Sequence, residues 1–317
     1  MKLIKALALG LTMAVAGIAS AQNYSIATGG TGGVYYPMGG GLAAVLSKQI
    51  PGLTATAEVT GGSVDNLKLV GSDTPYLGFS MADAAKDAVE GTGKFSGKKV
   101  DAQTLLVLYP NRMHIVTTEA SGIKTLQDLK GKRISTGSPG SATEVMAFRV
   151  LEAAGIDKDK DVTRERLGAA ESVNAMKDRK IEAFFWVGGL PTAAVTDLAN
   201  TPGTQIVMID HADTVPKMNA KYGNLYFADV IPKSTYAGMQ ADNKNASVSN
   251  ILVVNANMPE EEAYKITKAI FDNMPELLNT HREFGSVKLE NQKAAATPLP
   301  FHPGALKYFK EQGVSVQ

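Results

Sequence analysis

From Tyr24 onward, short strand-like runs alternate with helical runs, and four strand ends open through Gly- or Ser-bearing loops straight into helices. Few architectures accept that order. A strand followed by a crossover helix and another strand packs as an α/β layer structure, so a mostly parallel sheet covered by helices is expected. Tyr24-Ser25-Ile26-Ala27-Thr28 reads as the first strand. Residues 34–48 read as a helix with Pro37 in its first turn and Tyr35, Met38, Leu42 and Val45 on one face. Leu53 to Val59 alternates as a strand, Ser63 stands as an N-cap, and Val64, Leu67 and Val70 follow at helical spacing. Tyr76 to Ser80 and Ala82 to Val89 repeat the strand–helix pair. Thr104 to Tyr109 and His114 to Thr118 read as two strands parted by a Pro-Asn turn.

The pattern then restarts. A short helix ends at Gly131, a strand follows, and a helix runs from about Ala142 to Ala154 before Gly155. Glu171 to Lys180 reads as a helix, Ile181 to Val187 as a strand, and Pro191 as the opening of a further helix. Ile206 to Ile209 and Ile251 to Val254 are strands, and Pro259 to Met274 is a long helix. The stretch 211–250 is polar and weakly periodic, and His211-x-Asp213 within it reads as a surface turn. A chain of 317 residues exceeds what one core usually supports. Two lobes are expected, one from 22–113 with 256–317 and one from 119–250. The crossing strands are expected near 114–118 and 251–255.

The N-terminus reads as an address rather than a part of the fold. Lys2 and Lys5 precede an apolar run from Ala6 to Ile18, which exits through Ala19-Ser20-Ala21. A basic start, a short apolar centre and a small-x-small exit form a secretory signal peptide, with cleavage expected near Ala21 and a bacterial periplasm as destination. The rest of the chain is near neutral, with 32 Lys+Arg against 31 Asp+Glu in all, which excludes the electrostatic footprint of a nucleic-acid binder. With no cysteine, thiolate metal sites and cysteine nucleophiles are excluded as well.

The four loops carry the candidate chemistry. They are Gly29 to Pro37, Thr60 to Ser63, Gly137 to Glu144 and Val187 to Pro191. Ligands of open α/β sheets bind where strands end, helix N-termini present unpaired N–H donors, and glycine lets the backbone approach a bound group. Facing loops of this kind would hold an anion without a cluster of arginines. Tyr35 can add a hydroxyl, and Trp186, the single tryptophan, ends a strand beside Gly188-Gly189. Ser141-x-x-Glu144 is also a capping box. Walker, dinucleotide-binding, nucleophile-elbow and HExxH motifs are missing. An exported hydrolase built on Ser138 or Ser141 stays as an alternative, since triads are set in space.

At these loops the chain resembles the TAXI family, the solute-binding proteins of TRAP-type transporters. The match includes Thr28 to Pro37, Thr60 to Asn66, Leu126 to Lys132, Gly137 to Glu144, Ile181 to Pro191 and Ile251 to Ile266. The resemblance implies a two-lobed type II periplasmic-binding-protein fold with a hinge. It implies no enzymatic activity, cofactor or metal, and a monomer that hands its solute to TRAP-type integral membrane subunits. The implied ligand is a small organic anion, a C4/C5 dicarboxylate such as 2-oxoglutarate, or glutamate. The binding loops of the family fall on Gly32, Gly33, Val34 and Tyr35, on Ser63 and Asn66, on Ser138, Gly140, Ser141 and Thr143, and on Trp186 and Gly189. Met81 stands where the family commonly has Gln, and Ala142 where Gly is frequent. No arginine lies in the matched loops, and Arg112 and Arg149 read as surface charges. A sensor that passes its ligand-bound form to a signalling partner would share the same sequence features.

Overall fold

A computed structural model describes residues 22–72 and 75–316; the signal peptide expected up to about Ala21 lies outside the described residues. The first part of the chain runs β1 (Gln22–Ala27), α1 (Tyr35–Gln49), β2 (Leu53–Glu58), α2 (Ser63–Val70), β3 (Tyr76–Met81), α3 (Ala82–Glu90) and β4 (Ala102–Thr118). Next come β5 (Arg133–Ser135), α4 (Ala142–Ala153), β6 (Thr163–Glu165), α5 (Ala169–Lys177), β7 (Ala183–Gly188), α6 (Ala193–Ala199) and β8 (Ile206–Met208). The remainder is α7 (Val215–Tyr222), β9 (Tyr226–Ile231), β10 (Asn243–Asn255), α8 (Glu260–Asp272), α9 (Met274–Leu278) and α10 (Pro303–Glu311).

The strands form one sheet in the order β2-β1-β3-β10-β4-β7-β5-β6, with β8 on β4 and β9 on β10. Pairing is parallel on both flanks, as the βα alternation requires. It is antiparallel wherever β4 or β10 takes part, so the sheet is mixed rather than mostly parallel. Helix α1 buries Met38, Leu42, Val45 and Leu46 against this sheet. Gly39 permits the approach, because a Cβ there would lie 2.4 Å from Thr28 Cγ2. Each buried aliphatic side chain of such a stripe contributes about 1.5–3 kcal/mol. A second apolar cluster joins Val116, Val173, Phe184, Val195 and Leu198 between β7, α5 and α6.

The expected turn at Pro110-Asn111 is absent, and β4 runs through it as one strand of 17 residues. Proline survives there because the ladder is already broken. Ser249 pairs with Pro110 and Ile251 with Val107, so Leu108 and Tyr109 face the single residue Asn250 in a β-bulge. At this bulge the partners change. Residues 243–248 of β10 pair with β9, and residues 250–254 pair with β3. Arg112 to Thr117 of β4 pair with β7. The switch thus falls a few residues before the crossings expected at 114–118 and 251–255.

The polar stretch 211–250 holds α7, β9 and the start of β10. His211 is not on a surface turn but fully buried, its Nδ1 2.8 Å from the Ile209 carbonyl. The expected helix to Met274 stops at Asp272 and turns into α9. Among the described residues no helix is long and apolar enough to cross a membrane.

Candidate functional site

A cleft of about 360 Å³ opens where the loops before α1, α2, α4 and α5 meet the end of β7. Gly32, Gly33, Tyr35, Ser63, Met81, Ser138, Ser141, Thr143 and Trp186 line it, as expected. These residues lie far apart in sequence and come together because every loop leaves the same edge of the sheet.

The loops touch one another directly. The Gly140 carbonyl accepts the N–H groups of Val64 at 3.0 Å and Asp65 at 3.1 Å. Ser138 Oγ donates to the Gly61 carbonyl at 3.0 Å, and the Ala194 N–H donates to the Gly32 carbonyl at 3.2 Å. Gly33 packs under Trp186, where a Cβ would stand 2.8 Å from Cη2. The Trp186 indole N–H donates to Thr192 Oγ1 at 2.9 Å. Residues from before and after β4 therefore seal the cleft between them.

Tyr35 links the cleft to the crossing strands. Its hydroxyl donates to Asn250 Oδ1 on β10 at 2.8 Å and accepts from Asn111 Nδ2 on β4 at 3.3 Å. Its ring stacks on Phe79 at 5.0 Å. Burial holds the phenol well above its ordinary pKa, so it stays a neutral donor.

Four expected residues do not reach the cleft. Val34 points into the core and is 2% exposed. Asn66 is fully buried beneath the floor and ties three segments together. Its Nδ2 donates to the Thr28 and Phe79 carbonyls at 2.6 and 2.8 Å, and its Oδ1 accepts from Thr60 Oγ1 at 2.6 Å. Gly140 acts through its carbonyl on α2. Gly189 lies behind the cleft, where a Cβ would be 2.8 Å from both Glu283 Cγ and Tyr109 Cε2.

Several hydroxyls have local duties. Ser63 is the first residue of α2 rather than its cap; Gly62, at φ 119°, holds the cap position. Ser63 Oγ instead accepts the Met81 N–H at 3.1 Å. Ser141 Oγ caps α4, accepting the Glu144 N–H at 3.1 Å and donating to the Ser138 carbonyl at 2.7 Å. Thr143 Oγ1 accepts the Val187 N–H at 3.3 Å.

The sequence reading missed one wall. Arg166, Leu167, Gly168, Ala169, Ala170 and Glu171 bring the N-terminus of α5 to the cleft. Gly168 before a helix repeats the signal of the other loops, but the preceding strand β6 is only Thr-Arg-Glu and lacks an apolar pattern. The N–H groups of Ala142, Thr143, Ala169 and Ala170 precede the first intrahelical bonds of α4 and α5 and meet no acceptor among the described residues. Arg166 Nε donates to Glu144 Oε1 at 2.6 Å, and Lys94 Nζ to Oε2 at 2.8 Å. Burial pushes the Glu144 carboxyl up, and these hydrogen bonds outweigh it, leaving the pKa below the ordinary glutamate value.

Arg149 and Arg112 are not free surface charges. Arg149 is 7% exposed, donates to Tyr226 Oη at 2.7 Å and to Asp87 Oδ2 at 2.5 Å, and lies 3.5 Å from fully buried Asp83. Burial raises the Asp83 pKa, and Arg149 opposes that rise. Arg112 pairs with Asp229 at 2.9 Å.

Solved structures share this architecture. MatC from Rhodopseudomonas palustris, solved with bound malate, is 13% identical with a TM-score of 0.56 over 92% of this chain and 96% of its own. The periplasmic binding protein BugD is 13% identical with a TM-score of 0.54, over 92% and 94%. A structure described as a periplasmic transporter is 13% identical with a TM-score of 0.56, over 92% and 94%. At such identities the likeness concerns the fold, that of two-lobed periplasmic binding proteins. Residues 26–313 match a single family model across nearly the whole described chain. The chain belongs to the NMT1-like family, a family of periplasmic binding proteins.

Proposed function

We propose that the protein is the periplasmic solute receptor of a TRAP-type transporter of the TAXI kind. It captures a small organic acid of C4/C5 size and delivers it to the membrane subunits. One observation carries this reading: loops from both sides of the crossing strands close over a cleft, and the N-termini of α4 and α5 point open N–H donors at it. A carboxylate placed there would gain charge-assisted hydrogen bonds and the favourable end of two helix dipoles. The cleft volume sits at the lower end of the roughly 300–1,000 Å³ common for small-molecule sites.

The two lobes are residues 22–113 with 256–317, and 119–250. The strand-partner switch beside Asn250 argues for a hinge at about 109–113 and 248–250. Opening there would part Gly140 from Val64 and Gly33 from Trp186, and closing would bury the solute. The leader up to about Ala21 would deliver the chain to the periplasm, where it works as a monomer.

Neither Ser138 nor Ser141 hydrogen-bonds a histidine, and both hydroxyls donate to backbone carbonyls. This supports a receptor over a hydrolase. The test is calorimetric titration of refolded, ligand-stripped mature protein with C4/C5 acids. Micromolar saturable binding, about −8 kcal/mol, is expected without turnover. Hydrolysis of esters that is lost in Ser141→Ala would instead establish the enzyme.

A further inference from the structure

We infer that the acid is a monoanion with an apolar body: one carboxylate on the helix ends and an aliphatic chain against Met81, with no second charge. This narrows the receptor reading proposed above and rests on it.

The charge inventory of the cleft comes first. Its lining carries two charged side chains, Arg166 and Glu171. Arg166 already directs Nε and Nη2 at Glu144, at 2.6 and 3.2 Å. Glu171 folds back over its own helix end, where a Cβ on Gly168 would be 2.5 Å from Oε2. The side chains thus supply no net charge and no idle cation. The positive character comes from helix ends, each worth about half a charge. The end of α2 is closed by the Gly140 carbonyl. The loop before α1 meets the start of α5, since a Cβ on Gly32 would be 3.0 Å from Ala170 Cβ. That contact sets the start of α5 against the loop before α1, and the start of α4 lines the same cleft. That matches one carboxylate. A second, removed from water beside Glu171 with no free cation, would be disfavoured.

Beside these hydroxyl-bearing loops, one stretch of the wall is apolar. Met81, Leu167, Trp186, Val187, Val59 and Ala142 line it. Ser138, Ser141 and Thr60 spend their hydroxyl protons on protein acceptors. Ser63 and Thr143 accept the Met81 and Val187 N–H groups and keep O–H donors suited to an anion, but no side-chain cation is left for a second charge. A Gln at position 81 would have offered an amide. Met81 offers a thioether able to shape itself around an aliphatic chain.

Titration calorimetry of the refolded mature chain at pH 7 tests this with five probes. They are 3-methyl-2-oxobutanoate, 3-methylbutanoate, its neutral amide, 2-oxoglutarate and succinate. The expected result is binding of the two monoacids at least about 100-fold tighter than either diacid, with the amide silent. Met81→Gln should narrow that ratio by about 10-fold or more, and Met81→Leu should preserve it. A diacid that binds as tightly as the monoacids would overturn the inference and leave the receptor standing. An amide that binds as well as its acid would overturn the anion seat. An unchanged ratio in Met81→Gln would overturn the place given to the aliphatic chain. Silence of every acid, from protein shown to be folded, would overturn the small-acid receptor itself.

Discussion

The carbonyl of Gly140 accepts the N–H of Val64 at 3.0 Å, so a loop from one side of the crossing strands caps a helix from the other. The adjacent Asp65 N–H shares the same acceptor at 3.1 Å. Backbone groups that a sequence reading offers to the ligand are thereby used to close the cleft.

Gly140→Ala should loosen this closure, through the left-handed backbone at Gly140 and by pushing the Asp65 carboxylate away. Gly140 has φ 79°, and an added Cβ would stand 2.1 Å from Asp65 Oδ2. We expect a stability loss of about 1–3 kcal/mol and at least about 10-fold weaker acid binding. Gly97 has the same φ with open space around it, so Gly97→Ala should show the backbone cost without the loss of affinity. Thermal unfolding and calorimetry on both variants decide the point.

Tyr35→Phe removes the hydroxyl that joins β4 to β10. Asn250 Oδ1 loses its donor, and Asn250 Nδ2 already lacks a partner. A loss of about 1–3 kcal/mol in urea unfolding is expected from the stranded buried amide. Ligand affinity should fall with it, because the lost hydroxyl ties this cleft-lining side chain to both crossing strands.

His114 and His211 predict the acid limit of stability. Burial pushes each imidazole from its ordinary value down to about 4. The Arg112 carbonyl accepts only, so His114 Nδ1 donates to it at 2.9 Å and Nε2 accepts from Tyr236 Oη at 2.9 Å. Between pH 6.5 and 4 the unfolded chain binds protons that the folded chain does not. Stability is therefore full above pH 6.5, falls as pH drops toward 4, and takes no further loss from these groups below it. Each histidine contributes about 3 kcal/mol across that window. Urea unfolding at pH 7, 5.5 and 4 should show the decline, and His114→Gln should remove about half of it.

Arg149→Met leaves the fully buried Asp83 carboxylate without its cation. A destabilisation of about 3–5 kcal/mol is expected. Adding Asp83→Asn should restore part of it, whereas two independent surface charges would give additive losses. Denaturant unfolding of the single and double variants measures the difference.

The flanking strands and their helices were legible because apolar period and Gly loops agree there, as in α1 with Met38, Leu42 and Val45. Where local and tertiary signals conflict, the reading failed. Pro110 looks like a turn, yet the bulge opposite Asn250 absorbs its missing N–H. The strand β9 runs Tyr-Phe-Ala-Asp-Val-Ile at the sheet edge, so its alternation is lost. Of the nine expected residues that line the cleft, seven lie in the Gly- and Ser-bearing loops, Trp186 stands beside the fourth loop, and Met81 entered only through the family resemblance. Asn66 and Gly189 were misplaced because proximity in sequence to a binding loop does not say which face a residue takes. The α5 wall escaped because Thr163–Glu165 carries no apolar period. Arg149 was misread because its two acidic partners come from α3, far away in sequence.

The most direct test of the account is the emission of Trp186, the single tryptophan, whose ring rests on Gly33 across the cleft. Acid should be titrated into ligand-stripped mature protein while emission is followed. A saturable blue shift is predicted, with a midpoint equal to the calorimetric Kd, as closure returns the ring to Gly33. Saturable heat with an unchanged Trp186 spectrum would place the ligand elsewhere and contradict the account.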